Sequence, residues 1–216
     1  MSSEKGHRSR SMKRLVGLAV IAALLVAAAL DTKFLSPQQA AELNPAPFNA
    51  ESYAAKAFPE VAGAIKEKAT DLEVLAPAVE ADPAAAGKQY GQDLGSGSYA
   101  IPVKVTGTVD QVDENFMQLK VSGVPDSTAV RVPVGPALSG TPVRDATGTI
   151  KFGDFAGQSD YQSVANQFKL RMQQDVLAKI DPASLKGKRV TVYGAWSTGG
   201  PPKSFVIQPV EIEARS

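Results

Sequence analysis

The sequence contains no cysteine and a single histidine, His7, close to the N-terminus. The first absence excludes disulfides, thiolate metal sites, cysteine nucleophiles and a lipid carried on an N-terminal cysteine. The second removes imidazole as general base or ligand from everything beyond the tail, and with it catalytic triads and ordinary zinc sites. Aromatic residues are few, at 6% of the chain, and Trp196 is the only tryptophan. Net charge is almost absent as well, at +1, but it is unevenly spread: residues 1–14 carry five basic side chains and one acidic one. The rest of the chain is therefore slightly acidic, without the electrostatic footprint that nucleic acid requires. No metal, cofactor or nucleic-acid partner is expected.

What is present begins with a polar, basic tail over 1–14, expected to be disordered on the cytoplasmic side. Leu15 to Leu30 follows as sixteen residues without a charge. As a helix this run would span about 24 Å, against a hydrocarbon core of roughly 30 Å, between a signal-peptide core and a spanning helix. Ala27-x-Ala29 would serve as a cleavage site, but Leu24, Leu25 and Val26 make the run greasy enough to stay. The expectation is a retained signal anchor over 15–35. It makes residues 15–30 a contact with the inner membrane and places the folded part in the periplasm or outside the cell. A proline-rich linker occupies 36–48.

Asn49 then reads as an N-cap, with Tyr53, Ala57, Val61 and Ile65 at helical spacing and Pro59 expected to kink or restart the helix. Thr70-Asp-Leu-Glu73 has capping-box spacing, and Asp82-Pro83 is a cap followed by proline at the first helical position. Residues 49–97 thus form a small helical subdomain. From Tyr99 the period becomes two. Ile101, Val103 and Val105, then Met117, Leu119 and Val121, then Val130, Val132 and Val134 mark three half-buried strands. Gly107 suits a bend in the first, and Pro133 an irregular end or edge in the third. An amphipathic helix with Tyr161, Ala165, Phe168, Met172, Val176 and Ile180 on one face comes next, then strands over 189–196 and 205–213. Three strands, a helix and two strands is the order of an OB-fold. The predicted fold class is accordingly α+β: a five-stranded barrel over 98–214, plugged by the helix between its third and fourth strands. Thr149 to Phe152 is a candidate extra strand.

Between the third strand and the helix lies Gly135 to Gln158, a long polar connection with five glycines and two prolines. Such connections carry function or a structural clasp. Its Arg144, Asp145 and Asp154 suit two roles: binding a polar ligand through bidentate contacts, or an internal ion pair that pins the connection to the barrel. The carboxylates would also suit a hydrolase, a weaker reading, since nothing marks a raised-pKa acid or a cleft. Trp196, beside the Ser197–Lys203 loop, suits either stacking on a sugar or capping the barrel core.

The run Gly135-Pro136, Gly140-Thr141, Arg144-Asp145, then Phe152-x-Asp154-Phe155-x-x-Gln158 resembles the signature of a bacterial family without assigned function, domain-of-unknown-function family 2291, described as predicted periplasmic lipoproteins. Phe48-Asn49-x-x-x-Tyr53, Lys88-x-Tyr90-Gly91 and Gly194 resemble its pattern too, so the likeness covers roughly residues 31–213. Phe58 departs from it, standing near the place of a tryptophan, and so does the missing lipid-anchor cysteine. Members are often encoded beside sugar ABC transporters. The resemblance therefore implies a non-enzymatic, membrane-anchored accessory protein whose partner is a transporter permease or a sugar-binding protein. A sugar- or oligosaccharide-binding module using the barrel face is the alternative. The candidate ligand or partner residues are Arg144, Asp145, Asp154, Gln158 and Trp196, with Gly135, Pro136, Gly140 and Thr141 as the structural frame.

Overall fold

The computed structural model describes residues 17–24, 26, 36 and 47–215. Residues from Phe48 onward form one compact unit and those up to Pro47 another. In the latter, residues 17–24 and 26 are helical. Among the described residues no helix is long and apolar enough to cross a membrane. The expected single-pass helix over 15–30 thus has no support from them. Its remaining positions, the tail over 1–14 and most of the linker lie outside the described residues.

Helix α1 runs Ala50–Lys68. Asn49 starts it: its side-chain oxygen accepts the Ser52 N–H at 2.8 Å, satisfying one of the donors that a helix start leaves without a partner. The helix continues through Pro59 rather than restarting there. Proline removes one hydrogen bond, whereas Phe58, Val61 and Ile65 bury a continuous face on both sides of it, and packing outweighs the loss. The expected capping box at Thr70–Glu73 does not form. Thr70–Asp71 is instead a short strand, β1, running parallel to Val103 and Lys104. Asp71 makes no side-chain cap for α2 (Leu72–Ala81) and reaches Lys104 Nζ at 3.0 Å. Helix α3 (Pro83–Tyr90) starts as its sequence spells, with Asp82 accepting the Ala84 and Ala85 N–H groups at 2.9 and 3.0 Å.

The strands that follow are β2 (Gln92–Gly95), β3 (Ser98–Val112), β4 (Phe116–Lys120), β5 (Ala129–Pro133), β6 (Arg189–Ser197), β7 (Ser204–Val206) and β8 (Gln208–Arg215). They are hydrogen-bonded in the order β7-β5-β4-β3-β6-β8, with β1 and β2 added to β3. Along the main path of the sheet β3 joins two neighbours: Ala100–Thr108 pair with β6, and Thr108–Val112 with β4. Gly107 sits at the handover. Asp113 turns the chain into β4 by accepting the Asn115 and Phe116 N–H groups at 2.8 and 2.7 Å. The single strand expected over 205–213 is divided at Ile207. Its first part, β7, lies parallel to β5, and its second, β8, lies antiparallel to β6, so one segment closes the ring. Among the described residues the sheet has eight strands, six of them from residue 98 onward where five were expected, although the β3-β4-β5-helix-β6-β7/β8 order of an OB-fold holds. The candidate strand at Thr149–Phe152 is absent; Phe152–Asp154 is a 3-10 turn that Asp154 closes by accepting the Lys151 N–H at 3.1 Å.

Two cores share the sheet. Ile101, Val103, Val105, Met117, Val132, Val192 and Ile207 fill the barrel, joined by Leu72 and Leu75 of α2 and by Leu185. On the other face of β3, β6 and β8, Ala100, Ala195 and Val210 meet Phe58 and Ile65 of α1 and Val164, Phe168, Met172 and Val176. The first two of these last four belong with Ala165 to α5 (Gln158–Arg171), which continues as a π-helical turn over Met172–Val176. Helix α5 is therefore not the plug expected between the third and fourth strands of the barrel. Its apolar face lies outside the barrel, with Phe168 edge-on to Phe58 at 5.4 Å, and only Ile180 beyond it reaches the barrel core. Leucines of α2 reach the barrel interior instead. Small residues at 100 and 195 let α1 approach the sheet closely enough to form this second layer.

Candidate functional site

The connection from Gly135 to Gln158 is held against the body at several points. Gly135 and Gly140 leave no room for a side chain: a Cβ would overlap the Glu114 carbonyl at the first and the Ala165 carbonyl at the second. Ser139 donates its N–H to Oε1 of the buried Gln208 at 2.8 Å, and Leu138 enters the outer core. Pro136 offers its carbonyl to Lys169 Nζ at 3.4 Å. Thr141 opens the short helix α4 (Thr141–Asp145), which presents Arg144 and Asp145 inward.

Arg144 and Asp145 are buried, at 4% and 7% exposure. The guanidinium grips the carboxylate with two bonds, Nε to Oδ1 at 2.6 Å and Nη2 to Oδ2 at 2.9 Å. Its Nη1 donates to the Tyr161 carbonyl at 2.9 Å, and its Cζ lies over the Tyr161 ring, 3.5 Å from the ring centre. The Tyr161 hydroxyl donates back to Asp145 Oδ1 at 2.7 Å. Burial together with that bond pushes the Tyr161 phenol up to about 12. Three residues from α4 and α5 thus close a ring of charge-assisted bonds, and the guanidinium is committed to it.

The raised phenol carries a sign. A folded pKa above the unfolded value of about 10 means that the folded form holds its proton more tightly. The contribution is complete below pH 10 and is lost as pH climbs towards 12. In a base titration followed by phenolate absorbance, Tyr161→Phe should lose a component that ionises above the ordinary tyrosine range. Loss of an ordinary component instead would contradict the Asp145 bond.

Asp154 and Gln158 are not part of this ring. Asp154 is exposed in its own turn, where its charge contributes to raising the Tyr53 phenol, behind the larger effect of burial. Gln158 is exposed at the first position of α5. Trp196 belongs to the other core, 4.6 Å from Phe205 between ring centres, and is 7% exposed. It also borders a cleft of about 570 Å³ between α2 and the two loops after β4 and β6. Among the described residues no group of three or more acidic or imidazole side chains could hold a metal ion.

What residue types alone did not mark is an aromatic patch around the ring of bonds. Phe48, Tyr53 and Phe155 contact one another with ring centres 5.4–5.6 Å apart. Tyr161 extends the patch to Phe155 at 5.5 Å and to Phe152 at 5.6 Å. Phe152 is 52% exposed and Phe48 37%. These residues come from two stretches, 48–53 and 152–161, about a hundred positions apart, so no local period could group them. The available signal was their shared presence in the family-like runs at 48–53 and 152–158.

The fold is similar to that of an OB-fold protein from Thermotoga maritima whose crystal structure is known. The TM-score is 0.67 with 15% sequence identity, over 79% of this chain and 100% of that one. At that identity the likeness concerns the fold alone. No curated protein matches the sequence. The family described as predicted periplasmic lipoprotein (DUF2291) matches residues 19–213, a span that takes in the aromatic patch, the Arg144 ring and every strand but the last residues of β8. Its description points to a place outside the cytoplasm in association with the membrane, although no residue of this sequence can carry a cysteine-linked lipid. This chain belongs to that predicted periplasmic lipoprotein family, DUF2291.

Proposed function

We propose that this protein is a non-enzymatic accessory protein of the cell envelope. In this reading it is held to the membrane by its N-terminal apolar run and works by contact with a component of a sugar ABC transport system. The observation that carries the reading is the patch of Phe48, Tyr53, Phe152, Phe155 and Tyr161. Its underside is fixed by the Arg144–Asp145–Tyr161 ring, and its outer rings stand in solvent. A rigid aromatic surface on a locked base is the anatomy of a protein-docking site, since aromatic side chains bury large areas at low entropic cost. Phe48 is also the first residue of the compact body. In sequence, the patch therefore begins where the segment that leads from the apolar run ends. The choice of a sugar transporter rests on the family resemblance.

The hydrolase reading fits the geometry less well. Both Asp145 oxygens are occupied, and Asp154 closes a separate turn. A photo-crosslinking side chain at 152 in the full-length protein, activated in native membranes, tests the docking proposal. A dominant adduct with a permease or a sugar-binding protein is expected, and it should disappear when Phe48 and Phe155 are replaced by serine. Adducts with lipid alone, or none above a control position on the opposite face, would overturn it.

A further inference from the structure

The cleft beside Trp196 involves none of the docking residues. Its floor is Trp196 and Phe205, and its walls are Val79 of α2 and the loops after β4 and β6. Its volume of about 570 Å³ falls within the range that encloses one small molecule. Much of the lining is apolar. Pro77, Pro83, Pro125, Pro201 and Pro202 supply no backbone N–H. The Thr198 hydroxyl accepts the Tyr99 N–H at 2.8 Å and the Ser204 hydroxyl accepts from Arg131 Nη2 at 2.9 Å, each keeping its own proton to donate. Along the prolines and aromatic rings a hydroxyl-rich ligand would give up its water without regaining the bonds, which favours an apolar chain there over a sugar.

The charged groups in the cleft are Lys203 and Glu80, one from each wall, 3.3 Å apart with side chains 55% and 60% exposed. Among the described residues Lys203 is one of two non-glycine positions with positive φ, at 56°, and its carbonyl accepts the Ala129 N–H at 2.9 Å. That bond anchors the end of the loop and sets the lysine at the cleft. An exposed pair of this kind contributes little by itself, so its two charges are available to a ligand at small cost. An apolar slot with one positive and one negative group beside it is complementary to an apolar chain carrying a zwitterionic head.

We infer that this cleft binds a single-chain zwitterionic amphiphile. The acyl chain lies along Trp196, Phe205, Val79 and the prolines, the anionic part of the head meets Lys203, and the ammonium meets Glu80. A monoacyl phosphoethanolamine lipid has this chemistry.

Because Trp196 is the only tryptophan, the test can be read at the cleft itself. Full-length protein in phosphatidylcholine nanodiscs is titrated with lysophosphatidylethanolamine bearing a dibrominated acyl chain, and quenching of Trp196 is followed. Saturable quenching is expected, relieved by the unbrominated lipid. Lys203→Gln and Glu80→Gln, both at exposed side chains, should each weaken it about tenfold. Brominated diacyl lipid should quench far less. No saturable quenching would overturn the inference. So would equal quenching by the diacyl lipid or indifference to both substitutions, since Trp196 would then be reporting the bilayer. An emission change with maltose or cellobiose would overturn it in favour of a sugar.

Discussion

Arg144→Ala is expected to lower stability by about 3–5 kcal/mol, because it strands the buried Asp145 carboxylate and leaves the Tyr161 carbonyl without its donor. For a body of this size that corresponds to a fall in melting temperature of roughly 6–20 °C. Lysine at 144 should recover only part of the loss, since an ammonium cannot reproduce the two-pronged grip and the guanidinium's place over the Tyr161 ring. Arg144→Ala combined with Asp145→Ala should be less damaging than Arg144→Ala alone, because the second change removes the stranded charge. Asp154→Asn, exposed and closing only its own turn, should cost less than about 1 kcal/mol. Chemical and thermal denaturation of the four variants would check the series. Equal effects of Arg144→Ala and Asp154→Asn would mean that the ring of bonds does not hold the connection.

Phe168→Ala should be comparably severe, at about 3–5 kcal/mol, since the side chain is fully buried and its loss opens a cavity between α5 and α1. The more telling result lies in combinations. With Phe58→Ala the two losses should fall short of their sum by about 0.5–1.5 kcal/mol, the coupling of an edge-to-face ring pair. With Met117→Ala, which opens the barrel core, the losses should add to within about 0.5 kcal/mol. Strong coupling of Phe168 to Met117 would instead place α5 at the barrel mouth.

That last contrast shows where sequence reasoning stops. The alternation of Ile101, Val103 and Val105 identified a half-buried strand, and Asn49 and Asp82 marked their caps, because each signal lies within a few residues of what it specifies. The periodic face of α5 was equally plain, but a period states that a face is buried and not against what. The barrel and α1 are both apolar partners, and the choice depends on small residues at 100 and 195 that admit α1 to the sheet. The division at Ile207 was hidden because Phe205 and Ile207 keep the alternation of one strand across the break. Strand β1 is two residues long and exists only because β3 lies beside it. At the site, Arg144 next to Asp145 was visible as a pair, whereas Tyr161, which completes their ring, read as one more apolar helix position. The aromatic patch gathers Phe48 and Phe155 from distant stretches, a grouping that only the folded chain supplies.

The pairing of β3 with β6 has a consequence for how the protein comes to be folded. Partners such as Ala100 and Ser197, or Thr108 and Arg189, stand about eighty to a hundred residues apart. The loop-closure entropy of that union must be met before its contacts form, which makes late, slow assembly the expectation. While the chain is still being made or moved, the β3-β4-β5 meander can form but has no wall to close against. Phe168 likewise lacks the finished sheet on which its helix packs. Such a delay would suit a chain exported before folding, because the barrel can close only when its last fifth is present.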